Sequence, residues 1–103
     1  MQGNEPPKKW EYEALVEKTR LSIMLYLFIR RKERFITIQR NVGTTPGNLW
    51  THLRRLQQAG MITIKNDLSD ARSRIVIITD YGKDSVLRFA DRLNAVAGKE
   101  KSE

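Results

Sequence analysis

Cysteine is absent from the 103 residues. Disulfides, thiolate metal sites and thiol nucleophiles are thereby excluded. Histidine occurs once, at His52. One imidazole with scattered carboxylates makes a poor zinc site, so no metal or other cofactor is expected. No apolar run approaches the roughly 20 residues that a membrane-spanning helix needs. The longest block, Ile23 to Ile29, is short and is followed by Arg30 and Arg31. The first residues lack the basic-then-apolar pattern of a secretory signal. A cytoplasmic protein with no membrane partner is the expectation. A Ser/His/Asp arrangement, a convincing carboxylate pair and a Gly-rich phosphate loop are also missing, so no enzyme is expected.

What the chain does have is positive charge. Lys and Arg number 19 against 12 Asp and Glu, a formal net charge of +7. Hydrophobic residues at 40% and charged residues at 30% make a globular balance. The length suits one domain. Residues 1–40 carry nine basic and five acidic groups, residues 41–79 five and two, and residues 80–103 five and five. The excess therefore lies in the first four-fifths of the chain. It fits a polyanionic partner, although charge alone does not choose among DNA, RNA and a membrane surface. The neutral last segment reads as packing.

Residues 1–9 hold Gly3, Pro6 and Pro7 among polar neighbours and read as a flexible arm. A single helix is predicted from Trp10 or Glu11 to about Arg31. Its stripe is Leu21, Met24, Leu25 and Phe28, at i, i+3, i+4 and i+7. Ile23 and Leu27 point elsewhere, which leaves them to the core or to a subunit contact. Arg30 to Arg34 is a basic turn that either approaches DNA backbone or is simply solvated. Phe35 begins a short extended stretch, and Thr37 is placed to cap a brief helix over 38–42.

The sharpest local signal is Thr44-Thr45-Pro46-Gly47-Asn48. Thr45 fits a helix N-cap, and Pro46 fits the first helical position, where a missing N–H costs nothing. That helix is predicted to reach Ala59, with Gly60 as its terminating residue. Leu49, Leu53 and Leu56 mark its inner face. Gly47, Thr51, Arg54 and Gln58 mark the outer face, flanked by Asn48, Trp50 and Arg55. The outer face has two arginines and no acid. Residues 61–65 and 74–79 read as two strands of a hairpin around a long polar tip, 66–73. Thr79 is placed to cap a last helix from Asp80 to about Ala97, ended by Gly98, with 98–103 a polar tail.

The predicted fold is mainly α with a small β-hairpin (α+β). It is a helix-turn-helix joined at Gly43-Thr44-Thr45, followed by a hairpin that makes it winged. Extra terminal helices complete the domain over 10–97. A helix fits the major groove of B-DNA and reads base edges with its outer face. Free N–H groups at Pro46 to Asn48 favour a phosphate. Arg72 and Arg74 on the hairpin can reach phosphates or the minor groove.

Several segments together resemble winged helix-turn-helix transcriptional regulators of the ArsR/MarR type, in their small archaeal variety. They are Thr19-Arg20-Leu21-Ser22-Ile23, Thr44-Thr45-Pro46-Gly47-Asn48-Leu49, His52-Leu53 with Leu56, Ala59-Gly60-Met61-Ile62 and Ile78-Thr79-Asp80-Tyr81-Gly82. The likeness spans about Thr19 to Leu93. It implies that the helix after Thr45 enters the major groove through Gly47, Asn48, Trp50, Thr51, Arg54 and Arg55. The wing would contact DNA through Arg72 and Arg74. It also implies that terminal helices form a two-fold dimer. Metal-sensing relatives use Cys and His clusters that this chain lacks. Larger relatives form an effector pocket between added helices, for which this chain leaves little room, so no small-molecule effector is expected.

Each residue has a plainer reading. Arg54 points directly away from the leucine face and is the better base-edge candidate, whereas Arg55 suits a phosphate. Thr45, Arg34 and Lys65 are further candidates for phosphate contact. Trp50 sits at the boundary and either packs on its edge or touches sugar and backbone. His52 reads as packed or locally hydrogen-bonded. Asp67 and Asp70 dilute the charge of the wing. Trp10, Leu15, Ile23, Leu27, Leu87, Ala90 and Leu93 are the residues expected at a homodimer interface. The expected function is sequence-specific double-stranded DNA binding by a homodimeric, nucleoid-associated regulator. The alternatives are a nonspecific architectural DNA binder and a winged-helix protein-interaction module.

Overall fold

A computed structural model describes residues 8–101. Its elements are α1 (Lys9–Leu15), α2 (Lys18–Arg30), β1 (Lys32–Arg34), α3 (Phe35–Val42), α4 (Pro46–Gln58), β2 (Ile62–Asp67), β3 (Asp70–Ile78) and α5 (Asp80–Lys101). Most of the expected arm, residues 1–7, lies outside the described residues, and Lys9 already belongs to α1.

The single helix expected over 10–31 is two helices. Glu17 adopts an extended backbone with ψ 130°, and its carboxylate accepts from Arg20 N at 2.8 Å. That is an N-cap, and it restarts the helix two residues after α1 ends. The inward stripe of α2 also differs from the expected one. Ile23, Met24 and Leu27 are fully buried, while Leu25 is 47% exposed. A segment apolar on nearly every side offers several overlapping stripes, and packing selects among them. Leu15, Ile23 and Leu27 therefore cannot meet a second subunit, because each is 0% exposed within this chain.

α2 runs through the middle of the core. Leu49, Leu53 and Leu56 of α4, Ile38 of α3, Ile62 of β2 and Val76 and Ile78 of β3 close around it. The three strands are antiparallel in the order β1-β3-β2. β1 ends directly before α3, which begins at Phe35 rather than after Thr37. Arg31 makes the reversal into β1 at φ 77°, an unusual backbone for a residue with a Cβ. The hairpin tip is tighter than expected. β2 and β3 extend through most of 66–73 and turn at Leu68 and Ser69. Asp67 Oδ1 holds that turn by accepting from Ser69 N at 3.0 Å and Ser69 Oγ at 2.7 Å.

Thr79 caps α5 as expected, accepting from Gly82 N at 2.9 Å while donating to Gly60 O at 2.7 Å. α5 does not stop at Gly98 but continues to Lys101, so only 102–103 of the expected tail fall outside the described residues. Its side chains from Ala90 to Ala97 are all exposed. Among the described residues, no helix is long and apolar enough to cross a membrane.

Candidate nucleic-acid interface

The turn between α3 and α4 is built locally. Gly43 ends α3 in the left-handed region at φ 67°, where a Cβ is disfavoured. Gln39 Nε2 donates to Thr44 O at 3.3 Å across the turn. Thr45 Oγ1 accepts from Asn48 N at 3.2 Å, and Pro46 opens the helix. Leu49, Leu53 and Leu56 are wholly buried. That rotation leaves Gly47, Asn48, Thr51, Arg54, Arg55, Gln57 and Gln58 exposed. Thr51 donates its hydroxyl to Gly47 O at 3.1 Å, which leaves its oxygen lone pairs free to accept.

Trp50 is half-buried rather than displayed. Its ring lies 4.8 Å from that of Phe35, tilted by 30°. It forms part of the floor of a cleft of about 430 Å³ between the helix-turn-helix and the wing. Arg34, Arg72 and Arg74 lie around this cleft, with Pro46 at its edge. A second shallow cleft runs from Arg54 to Arg74 past Trp50 and Ile64. The wing arginines and the outer face of α4 thus form one continuous cationic surface.

Arg34 is less free than its neighbours. Its Nε is 3.2 Å from Asp67 Oδ2. Hydrogen bonds from Ser69, with the nearby Arg34 and Lys32, hold the Asp67 carboxyl below its usual range against the upward push of burial. Lys65 is exposed on β2, facing Ile75 across the ladder. Arg30 lies over the Tyr26 ring at 5.5 Å and 3.7 Å from Glu33, so this part of the basic run is engaged within the chain. Among the described residues, no three His, Cys, Asp or Glu side chains gather as a metal site.

His52 is on the inner edge of α4. Its Nδ1 lies 3.2 Å from Arg20 Nη1 and 3.6 Å from Glu17 Oε1. Arg20 also donates to Ala14 O at 2.8 Å and Glu13 O at 3.0 Å, the open carbonyl end of α1. A second cluster was not anticipated from sequence. Glu11 is fully buried, and its Oε2 accepts from Tyr81 at 2.8 Å, from Ser85 at 2.7 Å and from Arg88. Lys8 N donates to its Oε1 at 2.9 Å. Burial pushes the Glu11 carboxyl up, but Arg88, Ser85, Lys8 and Tyr81 together outweigh it and bring it down to about 2. The sequence carried half a signal: Glu11 stands one turn before Ala14 and Leu15 on the apolar side of α1, whereas Arg88 lies among Asp84, Asp91 and Arg92 on its helix.

The winged helix DNA-binding domain family matches residues 19–97. No curated protein matches the chain. Among solved structures, the transcriptional regulator homologue protein from Pyrococcus horikoshii OT3 is 37% identical. That alignment covers 84% of this chain and 87% of the other, with a TM-score of 0.79. The overoxidized AbfR bound to DNA shares the fold at 19% identity and a TM-score of 0.66, over 91% of this chain and 77% of the other.

The heme sensor protein PefR from Streptococcus agalactiae, solved in complex with heme, shares it at 15% identity. Its TM-score is 0.76, over 89% of this chain and 63% of the other. This last likeness corrects the expectation that no effector is used. A protein of the same fold takes a small molecule, so limited room in this chain is no ground for excluding one. The family match and the Pyrococcus relative together settle the classification. The chain belongs to the winged helix DNA-binding domain family and has the winged helix-turn-helix fold of MarR/ArsR-like transcriptional regulators.

Proposed function

We propose that the chain binds double-stranded DNA sequence-specifically as a homodimer. Asn48, Thr51 and Arg54 would read base edges in the major groove, and Gly47 would let the backbone approach closely. Arg55, Thr45, Lys65 and the wing arginines Arg72 and Arg74 would hold phosphates. One observation carries this reading. The exposed face of α4 holds two arginines and no acid, and it runs without a break into the arginines of the wing. Cationic side chains alone supply sequence-independent affinity. Short polar groups at the helix start add the capacity to discriminate bases.

The dimer is supported by apolar surface left over on this chain. Leu87, Ala90, Leu93 and Val96 are exposed along α5, and Trp10 is partly exposed beside it. Two such chains would present two copies of α4 to half-sites about 34 Å apart, or a multiple of that. The place of action would be the cytoplasm, at the nucleoid.

Binding to genomic fragments and to scrambled duplexes at one fixed salt concentration tests the reading. A large excess for particular genomic sites is expected. Equal affinity for both sets would replace it with an architectural, sequence-blind role.

A further inference from the structure

α1 lies outside the residues that the family matches, 19–97, yet it is pinned at two places by polar groups. At its start, Glu11 is buried and binds three side chains of α5, namely Tyr81, Ser85 and Arg88. Trp10 stacks on Tyr81 with ring centroids 5.4 Å apart. At its end, the carbonyls of Glu13 and Ala14 accept from Arg20, whose remaining nitrogen meets His52 of α4. Between these pins Ala14 and Leu15 are buried in the core, but the side of α1 toward α4 is open. A cleft of about 320 Å³ separates Trp10, Glu13 and Ala14 from Arg55, Gln58 and Ala59 of α4. The relation of α1 to α4 is therefore set by directional hydrogen bonds together with the buried Ala14 and Leu15.

A buried ion pair adds little net stability compared with apolar packing, but it imposes one geometry. Here the Glu11–Arg88 pair ties α1 to α5, the helix that carries the leftover apolar surface, and Arg20 ties the end of α1 to His52 of α4, the helix with the cationic face. We propose that Glu11 and Arg20 are positioning residues, which make α1 a strut fixing the angle between α5 and α4 and thereby the half-site spacing that the dimer accepts. This rests on the dimeric reading above. Neither side chain touches DNA in it. Each acts through α1. Moving two half-sites by one base pair turns one of them by about 34° around the duplex, so a fixed angle between α5 and α4 permits a narrow range of spacings.

The test uses duplexes selected by the wild-type protein, rebuilt with base pairs inserted or removed between half-sites. Glu11→Gln keeps the shape but removes the charge. Arg20→Lys keeps the charge but cannot span three acceptors. Both variants are expected to sediment as dimers and to keep wild-type affinity for a single half-site. Their preference for the native spacing over neighbouring spacings should fall by about tenfold, the size that positioning networks carry. Ile62→Val, in the core on β2, controls for general destabilisation and should keep the wild-type spacing profile.

A folded, dimeric Glu11→Gln with an unchanged spacing profile overturns the inference. If that variant does not fold, Tyr81→Phe and Ser85→Ala decide by the same profile, since each removes one donor. A wild-type protein that sediments as a monomer removes the dimeric reading and the strut with it. That outcome is read from mass rather than from spacing.

Discussion

Phe35, the first residue of α3, packs its ring against Trp50 of α4, with centroids 4.8 Å apart. This contact lies across the outer edge of the helix-turn-helix, where the two helices meet the wing. It turns a tryptophan of the predicted reading face into a brace for that face. Trp50→Ala is expected to cost about 2 kcal/mol, roughly half the value for a fully buried tryptophan. Urea unfolding measures it, and Trp50→Phe should recover most of the loss. A change within experimental error would mean that the ring pair is idle.

Arg54 and Arg55 should separate by the kind of defect each produces. Both are exposed on α4, but Arg54 is directed away from the buried leucines and lies against the wing cleft. Arg54→Ala is expected to relax discrimination at one base pair by roughly 1–3 kcal/mol. Arg55→Ala should weaken all duplexes alike and reduce the slope of log affinity against log salt by about 1. Titrations against a panel of single-base variants at several salt concentrations would show the contrast. Identical behaviour of the two variants would contradict the assignment.

Gly82 sits where a side chain has no room. A Cβ there would stand 2.2 Å from the carbonyl oxygen of Met61 and 3.0 Å from Ile78 Cγ1. The first turn of α5 rests on the backbone at the start of β2, and only a hydrogen fits between them. Gly82→Ala should cost at least about 1–3 kcal/mol. At this chain length each kcal/mol lowers the melting temperature by roughly 4–8 °C. Calorimetry that finds an unchanged melting temperature would require the two elements to part freely.

Acid should weaken the strut. The Glu11 carboxyl falls from 4.5 to about 2 in the fold, so the folded state binds its proton less tightly than the unfolded state does. Its contribution is complete above about pH 4.5 and drains away as the pH drops toward 2. Glu17, Glu33 and Asp67 are also held low, so they act in the same sense. Urea midpoints measured between pH 7 and 3 should decline for the wild type. Glu11→Gln should decline less steeply over that range. Parallel curves for the two proteins would remove Glu11 as a source of the acid sensitivity.

The exposed stripe on α5 makes an association prediction. Leu93 is 56% exposed and Val96 57%. Leu93→Asp should convert the expected dimer to a monomer at micromolar concentration without unfolding it, since that side chain makes no part of the core. Sedimentation and circular dichroism together read both halves of the statement. A variant that remains dimeric places the interface elsewhere, with the exposed Leu25 and Ile29 of α2 as the next surface to alter.

Within the sequence, helix α4 was already determined. Thr45 before Pro46, leucines at 49, 53 and 56, Gly60 after the last turn and an acid-free outer face are local signals, each acting over about one turn of helix. The cap at Thr79 was legible for the same reason. The break at Glu17 is local as well, a carboxylate capping Arg20 N three residues on, but glutamate is an uncommon cap and an unbroken amphipathic pattern conceals it. Tertiary structure alone chose Ile23 and Leu27 for the core over Leu25, since an all-round apolar segment has no preferred face until neighbours surround it. The widest gap was Glu11 with Arg88. They are separated by 77 positions, and their pairing exists only because α5 returns along α1. Short-range hydrogen bonds and periodicity are written along the chain, whereas the partner of a buried charge depends on how the chain folds back on itself.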